Sequence, residues 1–320
     1  MFGFRFSKNK QVEQPVEQKP SREIPTQNYL SQEELARRAK DTEEALRAGQ
    51  LPAQVTNRLD AMREGQLPFT SSFRVKEWAA LRKFQFLPLG QVMGSSIYHI
   101  GWSRLANAGF YFSQSFEIEA PTSAMMEARK IALGRMQQEA MALHAHAVVG
   151  VRLEKVTKIP EENIIEFIAV GTAIRLEGKP TPKSPILATV SGQDFVRLIE
   201  AGAMPVGLAM GVSYYYLMTD WRDFRQQFSL YNQEMGHFQQ GVARVRTKVM
   251  KRMIDDAHAL EASGVIGADF HLTVEEVERE VSENQSVTDH ILDVVALGTA
   301  VEHSSQQPKP HIITTISLND

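Results

Sequence analysis

A fixed offset of 117 residues runs through this sequence. RMQQEAMALHAHAVVG spans Arg135 to Gly150 and RMIDDAHALEASGVIG spans Arg252 to Gly267, so 252 − 135 and 267 − 150 agree. Each stretch reads as the end of an amphipathic helix running straight into a buried strand. The same offset brings Trp78 onto Phe195, Leu81 onto Leu198, Pro88 onto Pro205 and Gly90 onto Gly207. It also brings Met93 onto Met210, Gly94 onto Gly211, Ser96 onto Ser213 and Tyr98 onto Tyr215. A chain that repeats itself in this register folds as two copies of one unit, and 320 residues are enough for two cores.

The unit itself follows from periodicity. Ala128, Ala132, Met136, Ala140 and Leu143 form one helix face in the first copy, and Val245, Val249, Met253, Ala257 and Leu260 form it in the second. Spacings of four, four, four and three make the stripe of a helix lying on a sheet. Arg129, Arg135 and Glu139 fall on the opposite, wetted side. Strand patterns follow at 147–156 and 164–175, and again at 264–274 and 291–302. Gly298 lies 127 residues after Gly171, so the second copy carries ten extra residues, expected as an exposed excursion through EEVEREVSENQ. Each copy reads strand, helix, strand, long helix, strand, strand. That is an α+β unit with a mainly antiparallel sheet and helices packed on one face.

The expected plan assigns 1–28, rich in Gln, Lys, Glu and Pro, to a disordered tail. Residues 29–68 form a helical arm, with Ser31 and Glu34 spaced as a capping box. Within the arm, ALRAGQLP and AMREGQLP each end a helix on a glycine, Gly49 or Gly65. The copies occupy 69–177 and 186–303, joined by the Pro- and Lys-rich linker 178–185. Residues 304–320 form a tail in which IITTISLND is a candidate edge strand.

Composition removes several function classes. A net charge of −3 argues against a general nucleic-acid binder. The count of zero cysteines excludes disulfides, thiolate metal sites, Cys nucleophiles and Fe–S clusters, and fits a cytoplasmic protein. The N-terminus lacks a signal-peptide apolar run, and 203–218 is too short and too broken by Pro205, Gly207 and Gly211 to span a bilayer. Phe2, Phe4 and Phe6 among Arg5, Lys8 and Lys10 offer a tip for peripheral membrane contact, although a frayed terminus with no role is the simpler expectation.

Three motifs carry a family resemblance. They are G-x-V-x-G at Gly90–Gly94, the long helix-to-strand motif at Arg135–Gly150, and A-V-G-T-A at Ala169–Ala173. In the second copy they recur at Gly207–Gly211, Arg252–Gly267 and Ala296–Ala300. In these stretches the chain resembles the YbjQ-like family, labelled heavy-metal-binding. Members of that family are small single-domain proteins that form pentameric rings. The resemblance therefore implies self-association into a homo-oligomeric ring, as two stacked rings or one ring with two kinds of unit. The family's helix end reads Leu-Gly-Ala-Asn/Asp-Ala. Here it is Leu143-His144-Ala145-His146 and Leu260-Glu261-Ala262-Ser263, so a ligand role for that Asn/Asp does not transfer.

Candidate chemistry is sparse. His144 and His146 are the metal candidates, because in an extended segment residues two apart point the same way and imidazole suits Zn, Cu or Ni. The competing role is to cover a helix C-terminus. Asp269 and His271, with counterparts Arg152 and Glu154, read as solvent-facing strand positions. Tyr214, Tyr215 and Tyr216 read as core and interface packing. GQVMG and GLAMG lack the lysine of a phosphate loop, and Gly94–Ser96 is not a nucleophile elbow. No catalytic residues stand out. The residues kept in both copies are mostly small and apolar, the profile of a non-enzymatic oligomeric scaffold or binding module. The alternatives are a metal-binding or metal-responsive protein, with a divalent metal as cofactor, and a small-ligand binder or enzyme with its site between subunits.

Overall fold

A computed structural model describes residues 31–99, 114–159, 164–220, 223, 234–282 and 285–303. The N-terminal tip and the C-terminal candidate strand lie outside these residues. The arm comprises α1 (Gln32–Arg47) and α2 (Ala53–Arg63). Ser31 and Glu34 make the reciprocal capping box, and Gly49 and Gly65 follow the helix ends at φ 69° and 72°. α1 buries no residue, whereas α2 anchors the arm through Leu59.

The first copy continues with α3 (Val75–Lys83), β1 (Phe86–His99), β2 (Phe116–Glu117), α4 (Glu119–Ala142), β3 (Ala147–Ile159) and β4 (Ile164–Leu176). The second contains β5 (Ile186–Leu187), α5 (Gly192–Glu200), β6 (Ala203–Leu217), α6 (Gly236–Ala259), β7 (Gly264–Ser282) and β8 (Gln285–His303). The sheet orders are β1-β4-β3-β5 and β2-β6-β8-β7. All pairings are antiparallel except β3 with β5. The fold is therefore α+β, built twice.

The two sheets share their irregularities. Register shifts fall at Pro88/Gly90 and Pro205/Gly207, and again at Val149/Arg152 and Ile266/Asp269. Gly150 and Gly267 take φ 63° and 62° at the second pair of shifts. Such bulges turn a strand at a chosen point.

The long helices lie as their stripes require. α4 crosses β1 and β4, and α6 crosses β6 and β8. Met136 and Met253 are buried at the centres of these contacts, each worth about 2 kcal/mol in apolar area removed from water. The approach is close enough to need glycine on the strand. A Cβ on Gly94 would sit 2.2 Å from the Ala132 carbonyl oxygen, and one on Gly211 would sit 2.0 Å from that of Val249.

Three expectations need correction. Arg129 and Glu139 are buried rather than wetted, because α4 is covered on more than one side. Leu260 is 38% exposed, unlike Leu143, because the arm that shares a core with Leu143 has no equivalent on the second copy. The ten extra residues, expected as an exposed excursion, extend the β7–β8 hairpin. The opening of the first copy, 69–73, is not a strand here, whereas the opening of the second is β5.

That last difference leads to the main feature of the topology: the copies exchange edge strands. β5 belongs to the second copy but pairs with β3 of the first, Ala147 with Ile186 and Val148 with Leu187. β2 belongs to the first copy but pairs with β6 of the second, Phe116 with Tyr216 and Glu117 with Tyr215. Tyr215 and Tyr216, which take this pairing, are buried along with Tyr214.

Candidate functional site

The polar residues shared by both copies act within the fold. Arg135 Nη1 donates to the Ser95 carbonyl at 2.5 Å, and Arg252 Nη1 donates to that of Val212 at 2.6 Å. Glu139 Oε2 accepts the Met93 backbone N–H at 2.9 Å, and Asp256 accepts that of Met210 at 2.9 Å. Each pair fastens the long helix to the first long strand of its copy at the G-x-x-x-G segment, so the repeated motif is a mechanical lock.

The polar groups that differ between the copies gather where the copies meet. β3, β7 and α4 bound a cavity of ≈ 710 Å³. On one wall, Arg129 reaches Asp293 Oδ1 at 3.5 Å and stacks 4.7 Å over the Phe167 ring. Lys155 Nζ bridges Asp293 Oδ2 at 3.0 Å and Glu275 Oε1 at 3.2 Å, and Tyr214 donates to Glu275 Oε2 at 3.0 Å. Burial depresses the Arg129 guanidinium, and Asp293 partly offsets this. Its Nη1 is buried without a hydrogen-bond partner. A lone buried donor in a roomy polar cavity is a place for a ligand acceptor or a water.

The buried tyrosine hydroxyls of β6 are not activated as nucleophiles. Burial first, then Glu275, raises the Tyr214 hydroxyl above its ordinary range. Burial first, then Asp289, does the same for Tyr216. Both stay protonated donors at neutral pH. Arg129, Arg152 and Lys155 face Glu154, Asp269, Glu275 and Asp293, a mixed lining that suits a polar ligand carrying both charges.

A second clamp holds the copies from outside the cavity. Glu117 on β2 accepts from Arg252 Nη2 at 3.1 Å, Lys248 Nζ at 3.1 Å and Ser213 Oγ at 2.7 Å. Burial works to raise its pKa, but these donors outweigh it and hold the carboxyl below its ordinary value.

The metal candidates sit at the end of α4. His144 is exposed in the left-handed region at φ 57°, as Glu261 is at 58° in the second copy. Both fill the position where a glycine ordinarily ends the helix. His144 is therefore not extended, and the two imidazoles are not in consecutive same-side strand positions. The His146 ring lies with Nε2 3.0 Å from the Pro180 carbonyl, and its Nδ1 is buried without a partner. A different trio, Asp220, Asp223 and His237, brings three ligand atoms within 4.8 Å of one another. His237 Nδ1 lies 2.7 Å from Asp223 Oδ2, and the buried Asp223 Oδ1 has no partner. No sequence spacing flagged this trio, because 14 residues separate Asp223 from His237. Asp269, His271 and their counterparts Arg152 and Glu154 are solvent-exposed, as expected, and all four line the open cavity.

The family model that matches is YbjQ, described as "Putative heavy-metal-binding", at residues 86–177 and 218–304. The Encapsulin nanocompartment protein Rv1762c of Mycobacterium tuberculosis is 34% identical over 246 residues, 74% of this chain and 86% of that protein. UPF0145 protein BH0643 of Halalkalibacterium halodurans is 42% identical over 90 residues, 28% of this chain and 81% of its own length. UPF0145 protein TTHA1944 of Thermus thermophilus is 38% identical over 91 residues, covering 28% and 76%. No solved structure matches the chain.

Proposed function

We propose, for a chain that belongs to the YbjQ family and carries its domain twice, the role of a non-enzymatic, self-assembling scaffold. One observation carries this reading. The polar residues at matching positions, Arg135 and Arg252 with Glu139 and Asp256, bind strand backbone, and the further partners of Arg252 and Glu139 are Glu117 and Arg58, so these groups serve as structural fastenings. The 34% identical relative named as a nanocompartment protein supports an assembly role. Among the described residues no helix is long and apolar enough to cross a membrane. A particle assembling in the cytoplasm is consistent with that. Light scattering on untagged protein tests the proposal. The expected mass is a multiple of 36.0 kDa, and a monomer at all concentrations overturns it.

A second reading is metal binding, favoured by Asp220, Asp223 and His237 with the orphaned Asp223 Oδ1. Two carboxylates and an imidazole suit Zn²⁺, Ni²⁺ or Mn²⁺. With no cysteine in the chain, they do not suit the thiolate-seeking metals that the family description suggests.

A further inference from the structure

We propose that chains join end to end by repeating, between the second copy of one chain and the first copy of the next, the joint that holds the two copies together within a chain. This rests on the scaffold reading and names the surface through which the scaffold grows.

Residues buried at the internal joint have counterparts 117 positions away that lie on the outer faces. Tyr214 is 1% exposed and its counterpart Ile97 is 65% exposed. Met210 is 2% exposed against 45% for Met93. On the helix side, Leu133 is 7% exposed against 39% for Met250. On the short helices, Phe195 of α5 packs edge-on against Phe86 of the first copy and is 3% exposed, while Trp78 of α3 is 41% exposed. Val149 under β5 is fully buried, and Ile266 at the matching margin of β7 is 40% exposed. Large apolar side chains left open on both outer faces call for a cover.

The polar clamps point the same way. The internal pair Glu117–Arg252 has the counterparts Glu234 and Arg135. The internal pair Arg129–Asp293 has the counterparts Arg246 and Glu166, the latter through the offset of 127 beyond the hairpin insertion. Both counterpart pairs keep opposite charge. Arg135 meets no carboxylate among the described residues, and burial alone holds it below its ordinary value.

The opening segments are already posed alike. In the second copy the Thr189 N–H donates to Thr299 Oγ1 at 2.9 Å, which aims Ile186 and Leu187 at β3 of the preceding copy. In the first copy the Ser72 N–H donates to Thr172 Oγ1 at 3.4 Å, and the preceding Phe69 and Thr70 are exposed and in no strand pairing among the described residues, with the Phe69 ring edge-on against Trp78. The free margin they match is the start of β7, at Gly264 and Val265. All these relations run in one direction, from the second copy of one chain to the first copy of the next. An interface of that kind is heterologous and closes into a ring when its rotation permits. Such a ring of whole chains contains an even number of domains, so it cannot be a five-domain ring.

The absence of native cysteine allows a clean test. Phe69→Cys with Gly264→Cys places thiols at the proposed joint, and a Cβ on Gly264 meets open space. Ile186→Cys with Ala147→Cys marks the internal joint, where those residues pair. Under mild oxidation the first pair is expected to link chains into covalent multiples of 36.0 kDa, and the second to crosslink within one chain. An oligomeric particle in which only the internal pair crosslinks overturns this joint and leaves the scaffold reading standing. A 36.0 kDa monomer overturns both. Met250→Glu is an independent check at an exposed site. It is expected to dissociate the particle without changing far-ultraviolet circular dichroism, and an intact particle counts against the joint.

Discussion

The Glu139 carboxylate accepts the backbone N–H of Met93 at 2.9 Å, and Arg58 closes on its other oxygen at 2.6 Å. The N–H belongs to β1 beneath α4, in a part-buried bond to a buried carboxylate. Glu139→Ala is expected to lower stability by about 1.5–3 kcal/mol, the worth of a hydrogen bond to a charged group. Glu139→Gln, which keeps an acceptor, should lose less. Chemical denaturation of the two variants side by side checks the order.

Two glycines near the same helix should respond in opposite directions. A Cβ at Gly94 would enter the α4 backbone at 2.2 Å, whereas one at Gly134, within α4, meets nothing within 4 Å. Gly94→Ala should cost at least about 1–3 kcal/mol through overpacking. Gly134→Ala should stabilise by about 1 kcal/mol through helix propensity. Thermal melts of both distinguish steric contact from flexibility.

The helix-ending His144 is strained by its handedness. At φ 57° a side chain is tolerated where glycine fits freely. His144→Gly is expected to raise stability by about 1 kcal/mol, and Glu261→Gly should do the same in the second copy. A fall in stability would show that the imidazole makes a contact worth more than the strain.

Acid should loosen the joint between the copies through Glu117. Its folded pKa lies below the ordinary value of 4.5, so its contribution is complete above that pH and is lost as pH falls through the lowered value. Glu117→Gln should lower stability near neutrality and flatten the acid side of the curve. Melting temperatures from about pH 6 to about pH 3 report it.

Metal binding, where it occurs, should follow the trio rather than the helix end. Zn²⁺ titration of untagged protein is expected to lose a site in His237→Ala and keep it in the double variant His144→Ala/His146→Ala. The reverse result would return the site to the end of α4. No binding in the parent protein would remove the metal reading.

The two-copy α+β architecture was legible because helix and strand periodicities survive in both halves, and the stripe at Ala128, Ala132 and Met136 is buried as its spacing requires. The glycine pairs and the helix ends were legible for the same local reason. The burial of Arg129 was not, since the residues that cover it, Asp293 and Phe167, lie far along the chain. Periodicity assigns a helix one dry face and says nothing of a neighbour covering another. The exchange of β2 and β5 was equally hidden, because a two-residue pairing has no pattern of its own. Asp220, Asp223 and His237 converge through tertiary structure alone.

The exchanged strand β5 also imposes an order of events on synthesis. When Leu176 has left the ribosome, every residue of the first sheet is present except the pair that finishes its margin, Ile186 and Leu187. Until those follow, the apolar flank at Val148 and Val149 has no lid of its own chain. A nascent first half is thus open to mispairing with another unfinished molecule. Severing the gene at the linker would make that brief vulnerability permanent.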